Sequence, residues 1–240
     1  MTGLKLGTLT LTATLLALFF ASMLFVAVSP AADEPPPPPR FDDLVRADFF
    51  AGLRGDAARL ERAMQLCETT LAADPAHPSA LVWHGAALMF LAGRAAAAQD
   101  PVTARGRAQQ GQAEMDRALA LAPDSLSVML VRAVVLSASA PRMRDREAGR
   151  AALRSAVGGF ERALAIQQPY FDQLSVHSRG ELLAGLAESY ARLGDSAKSR
   201  GYLERMVTEL PDTPYQARAR AWLEDGAESQ QLTCLSCHRR

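Results

Sequence analysis

The chain has 240 residues, 49% of them hydrophobic and only 6% aromatic, and its 26 basic residues balance 26 acidic ones. That length accommodates one or two domains with a substantial core. Zero formal net charge gives no electrostatic footprint for nucleic acid or an anionic surface, and abundant alanine with few aromatics favours close-packed helices over a sheet. Only Lys5 and Lys198 are lysines, an arginine skew of the kind that GC-rich bacterial coding produces.

Lys5 precedes an uncharged run from Leu6 to Ala32, strongly apolar from Leu15 to Val26. The run is long enough to span a bilayer as a helix of about 20 residues. A cleavable secretion signal has a shorter apolar region, about 7–15 residues, and a small-x-small exit. Ser29-Pro30-Ala31 offers such an exit, with Pro30 at its awkward centre. Residues 1–32 are therefore read as an uncleaved transmembrane anchor, with a signal peptide as the alternative. Either exports the remainder, and Lys5 biases the C-terminal bulk to the periplasmic side, anchored in the inner membrane or secreted. Residues 33–40 hold Pro35 to Pro39. Five prolines favour an extended polyproline helix of about 3.1 Å per residue, a stiff spacer; a proline-rich ligand for a partner domain is the other reading.

Residues 41–225 show helical periodicity throughout and no strand alternation. Leu44, Phe49, Phe50 and Leu53 mark a first helix, ending at Gly55-Asp56. Leu60, Met64, Cys67 and Leu71 stripe a second, which stops at Asp74-Pro75. Ser79 to Leu91 carries Leu81, His84, Gly85 and Leu88, and Ala104 to Leu121 forms its partner. Asp124 to Ser139 follows, with Met129, Ala133 and Leu136, and then Arg146 to Ile166, with Phe160, Ala163 and Leu164. Gly93 to Thr103 and Ala140 to Asp145 hold extra residues, as loops or helix extensions. Leu183, Leu186, Ala187 and Tyr190 share one helix face, Gly194 suits a left-handed stop, and Asp195 can cap the helix carrying Leu203, Met206, Val207 and Leu210. Pro211 ends that helix, and Tyr215 to Leu223 reads as a closing helix.

The order Leu183, Leu186, Ala187, Tyr190, Gly194, Leu203, Pro211 resembles the tetratricopeptide repeat (TPR), a helix-turn-helix unit of about 34 residues. Ser199 departs from it, standing where the family places alanine. The resemblance implies an all-α, TPR-like solenoid of antiparallel helical hairpins and a protein-binding scaffold without chemistry of its own. Its first helices line a concave groove in the family. On this alignment Val82, Ala86, Met89 and Phe90 would face the groove in one unit, and Glu181, Ala184, Glu188 and Arg192 in the last. Such a surface suits an extended peptide or another helix. The competing reading puts Met89 and Phe90 in the core and leaves Glu181, Glu188 and Arg192 as a solvated face.

Residues 226–240 are polar until Leu232 and end in Cys234-Leu235-Ser236-Cys237-His238-Arg239-Arg240. This matches Cys-x-x-Cys-His, the attachment sequence of c-type haem. The spacing lets two thiols bond the two vinyl groups of one porphyrin while the adjacent His238 reaches the iron. The resemblance to c-type cytochromes covers this pentapeptide alone, and only two residues follow it. His77, His177, a methionine or solvent are the candidates for the sixth iron ligand, and His84 reads as a core residue. Alternatively, Cys234 and Cys237 form a disulfide or dithiol, or join a zinc site completed by a partner, or the match is fortuitous. Cys67 reads as inert packing, and Asp42-Asp43 as carboxylates favouring a helix start. The tail is expected to lie outside the helical body, with its thiols free.

Together these features predict a membrane-anchored extracytoplasmic scaffold that carries one covalent haem for electron transfer or redox sensing with a partner protein. A scaffold whose tail cysteines form a disulfide or metal clip is the alternative. No catalytic constellation accompanies either one.

Overall fold

The computed structural model describes residues 39–226 and Leu232. The expected anchor, most of the proline spacer and the Cys-x-x-Cys-His pentapeptide lie outside the described residues. Among those described, every regular element is a helix. The α-helices are α1 (Phe41–Leu53), α2 (Ala57–Ala73), α3 (Pro78–Ala97), α4 (Pro101–Leu121), α5 (Leu126–Ser139), α6 (Arg146–Gln167), α7 (Val176–Leu193), α8 (Ser196–Glu209) and α9 (Pro214–Asp225). Short 3-10 turns, Ala140–Arg142 and Gln168–Gln173, follow α5 and α6.

Local chemistry explains where the helices begin and end. The side chains of Asp56, His77, Asp100, Ser125, Asp145, Ser175, Asp195 and Thr213 each accept a hydrogen bond from a backbone N–H in the first turn that follows. Those N–H groups have no partner inside the helix, so each cap satisfies a donor left over by helix geometry. Pro78, Pro101 and Pro214 occupy the first positions of their helices, where a missing N–H costs nothing. Gly194 ends α7 at a φ of 86°, a left-handed conformation that a side chain would disfavour.

Consecutive helices pack in pairs: α1 on α2, α3 on α4, α5 on α6 and α7 on α8, with α9 against α8. The odd-numbered helices also meet in turn, α1 with α3, α3 with α5 and α5 with α7. One hydrophobic cluster runs through these contacts from Val45 in α1 to Trp222 in α9. Helix α3 is central and touches α1, α2, α4 and α5. Its composition would let it cross a membrane, but 67% of its most apolar window is buried inside the helical body. That burial identifies α3 as a core helix, apolar all round because neighbours cover it.

Close approach between α3 and α4 rests on two glycines. A Cβ on Gly85 would sit 2.6 Å from the Gly111 carbonyl oxygen, and one on Gly111 would sit 2.7 Å from the Gly85 carbonyl oxygen. The nearest atom to each is a backbone oxygen, which cannot swing aside as a side chain can.

Three local expectations are refined. The extra residues at Gly93 to Thr103 are helix extensions: α3 continues to Ala97 and α4 starts at Pro101, with Ala98 to Asp100 as the turn. Leu44 is 50% exposed, so the core face of α1 is carried by Val45 and Phe49 instead. Adjacent residues lie about 100° apart around a helix, so Leu44 and Val45 are both near the stripe and packing chooses between them. Asp42 is buried, its carboxylate accepting from Trp83 Nε1 at 2.6 Å, a role beyond favouring the helix start.

Candidate functional site

The most developed polar arrangement lies between α5 and α7. Glu188 and Arg192 are one helical turn apart on α7, so their side chains lie over the same face. Arg192 Nη2 donates to Glu188 Oε2 at 3.0 Å. Arg192 Nη1 reaches across to the last turns of α5, donating to the Ser137 carbonyl at 3.1 Å and to Ser137 Oγ at 3.2 Å. Ser137 Oγ lies 2.9 Å from Ser189 Oγ, and both serines are buried. The guanidinium therefore bridges two helices and holds the carboxylate of Glu188 in one orientation.

That carboxylate is only 3% exposed. Its other oxygen, Oε1, accepts from the backbone N–H of Leu232 at 2.5 Å. Leu232 itself is fully buried and belongs to the hydrophobic cluster. A buried carboxylate is costly unless its oxygens are paired. Here one faces a guanidinium and the other a backbone donor, both charge-assisted and stronger than neutral hydrogen bonds. Burying one leucine contributes about 1.5–3 kcal/mol, against an ordering cost of about 1–2 kcal/mol for each residue fixed. The gain and the cost are therefore of the same order.

This arrangement corrects one expectation. At Leu232 the tail is packed into the helical body, not held outside it. Cys234, Cys237 and His238 themselves are outside the described residues. The signal was a single apolar residue interrupting a polar segment, and no periodicity accompanies a single contact.

The groove residues read from the sequence separate into three groups. Glu188 and Arg192 are brought together as described. Glu181, two turns earlier on α7, accepts from Tyr215 Oη at 2.8 Å and faces α9. The Tyr215 ring passes so near Gly180 that a Cβ there would meet it at 2.5 Å. Val82 and Ala86 are buried in the core cluster, and Met89 and Phe90 are half-buried against it. Ala184 is also buried.

The three histidines among the described residues are engaged locally. His77 caps α3 through Nδ1, which accepts from the Ala80 N–H at 3.1 Å. His177 Nδ1 lies 3.0 Å from Tyr215 Oη. His84 is buried, with Nδ1 2.6 Å from Glu114 Oε2. Its Nε2 is 3.6 Å from Glu68 Oε1, an ion-pair distance too long for a hydrogen bond. Burial alone would push the imidazole pKa down, but the carboxylates of Glu114 and Glu68 outweigh it and hold the pKa above its ordinary value. Cys67, the buried neighbour of Glu68 on α2, has its thiol pushed up to about 12, first by burial and then by Glu114 and Glu68. A thiol so disfavoured as thiolate is a packing group. Among the described residues no cluster of histidine, cysteine and carboxylate has metal-holding geometry.

No protein-family model, curated protein or solved structure matches the chain.

Proposed function

We propose that the protein is an extracytoplasmic interaction scaffold: a TPR-like stack of helical hairpins held to the inner membrane by residues 1–32, with one covalent haem on its C-terminal tail. The pairing of consecutive helices, with odd-numbered helices meeting in turn, supports the stacked reading, because in a stack each hairpin buries its apolar faces against its neighbours. The haem reading rests on one observation, the sequence Cys234-Leu235-Ser236-Cys237-His238 in a chain that opens with an export-type apolar run.

The donor set fits the group. Cys234 and Cys237 would form the two thioether bonds and His238 would supply the proximal imidazole. When bound, haem supplies one-electron chemistry. The chain's part is to present that group beside a surface that holds a partner protein, so that electron transfer or redox sensing is coupled to docking.

Expression in a periplasm equipped with haem-attachment machinery tests this directly. The expected product shows a c-type visible spectrum and an intact mass raised by one haem, and replacing Cys234 and Cys237 with serine abolishes both without loss of helical content. A colourless product lighter by two hydrogens identifies a disulfide-bearing scaffold instead. Colour that survives the double substitution places haem elsewhere and overturns the assignment.

A further inference from the structure

The face between α5 and α7 is a built site with an occupant already in it. Four features define it: the bridging Arg192, the oriented Glu188 carboxylate, the buried Ser137–Ser189 pair, and a fully buried Leu232 whose N–H meets Glu188. The chemistry selects an extended segment that offers one apolar side chain to the cluster and one backbone N–H to a carboxylate.

We propose that this site is a peptide clasp whose resident ligand is the chain's own tail, bound in cis at Leu232. Residues 227–231 link Gly226, at the end of α9, to Leu232. A linker that short gives an intramolecular ligand an effective concentration in the millimolar range, well above that of any second copy at ordinary protein concentration. A partner segment of the same chemistry would compete for Glu188 and release the tail. The clasp needs no haem, so its failure would leave the attachment reading standing, and the converse also holds.

Hydrogen exchange followed by mass spectrometry on the full chain reads the contact through the amide that makes it. In the native protein the Leu232 amide should exchange about ten- to a hundredfold more slowly than an unstructured amide. That protection should persist unchanged through about a hundredfold dilution, as an intramolecular contact requires. Leu232→Asp and Glu188→Ala should each abolish it, while amides within α5 and α7 keep their protection and certify the fold. An unprotected native amide, or protection retained in either variant, overturns the clasp. Protection that fades on dilution assigns the occupant to a second copy and overturns binding in cis.

Discussion

Trp83 Nε1 donates to Asp42 Oδ1 at 2.6 Å inside the protein, joining the first turn of α1 to the second turn of α3. Phe49 meets the same indole edge-on, with ring centroids 5.0 Å apart. The contact therefore fastens the first described helix to the central one. Replacing Asp42 with alanine leaves the buried indole N–H without a partner, which costs about 1–3 kcal/mol. Urea unfolding should show that loss. Asp42→Asn, which keeps an acceptor of the same size, should lose less; equal losses would mean that the hydrogen bond is not what holds α1.

The glycine pair between α3 and α4 supports an opposed prediction. Gly85→Ala or Gly111→Ala forces two backbones apart and should destabilise by about 1–3 kcal/mol. Gly93 also lies within α3 but has nothing within 4 Å of its Cβ position. There alanine should stabilise by about 0.5–1 kcal/mol through helix propensity and reduced freedom of the unfolded chain. Thermal melts of the three variants decide it, and the sign should reverse between Gly93 and the other two.

His84 makes stability depend on pH. Its pKa is raised in the folded state by Glu114 and Glu68, so the folded protein binds a proton more tightly than the unfolded chain does. The resulting stabilisation is fully present below the unfolded histidine pKa, about 6.5, and is lost as pH rises through the higher folded value. The stability difference between the native protein and His84→Gln should therefore shrink as pH is raised from 6 to 9. A difference that grows over that range would contradict the assigned partners.

Cys67 should resist modification. With its thiol pushed up to about 12 and 1% exposure, it should not react with a maleimide at neutral pH until the protein is unfolded. Alkylation of the native fold at Cys67, located by peptide mapping, would show that α2 opens locally.

Much of the helical pattern was legible because its causes are local. Asp56, Asp195 and Gly194 act on backbone groups within a few residues, so their spacing in the chain is their spacing in space. Periodicity likewise placed Met129, Ala133 and Leu136 on the buried face of α5. It failed at Leu44, where two neighbouring positions compete for one stripe, and it could not choose between loop and helix at Gly93 to Thr103.

Sequence by itself determined that the described residues are helical and where most of their helices start and stop, since each depends on neighbours along the backbone. Tertiary structure alone decided that Asp42 serves Trp83, that Gly85 and Gly111 face one another, that Arg192 bridges to Ser137, and that Leu232 is buried beside Glu188. Those partners are far apart in the chain, and only packing brings a carboxylate, a guanidinium and a lone leucine to one place where burial forces each polar atom to find its match.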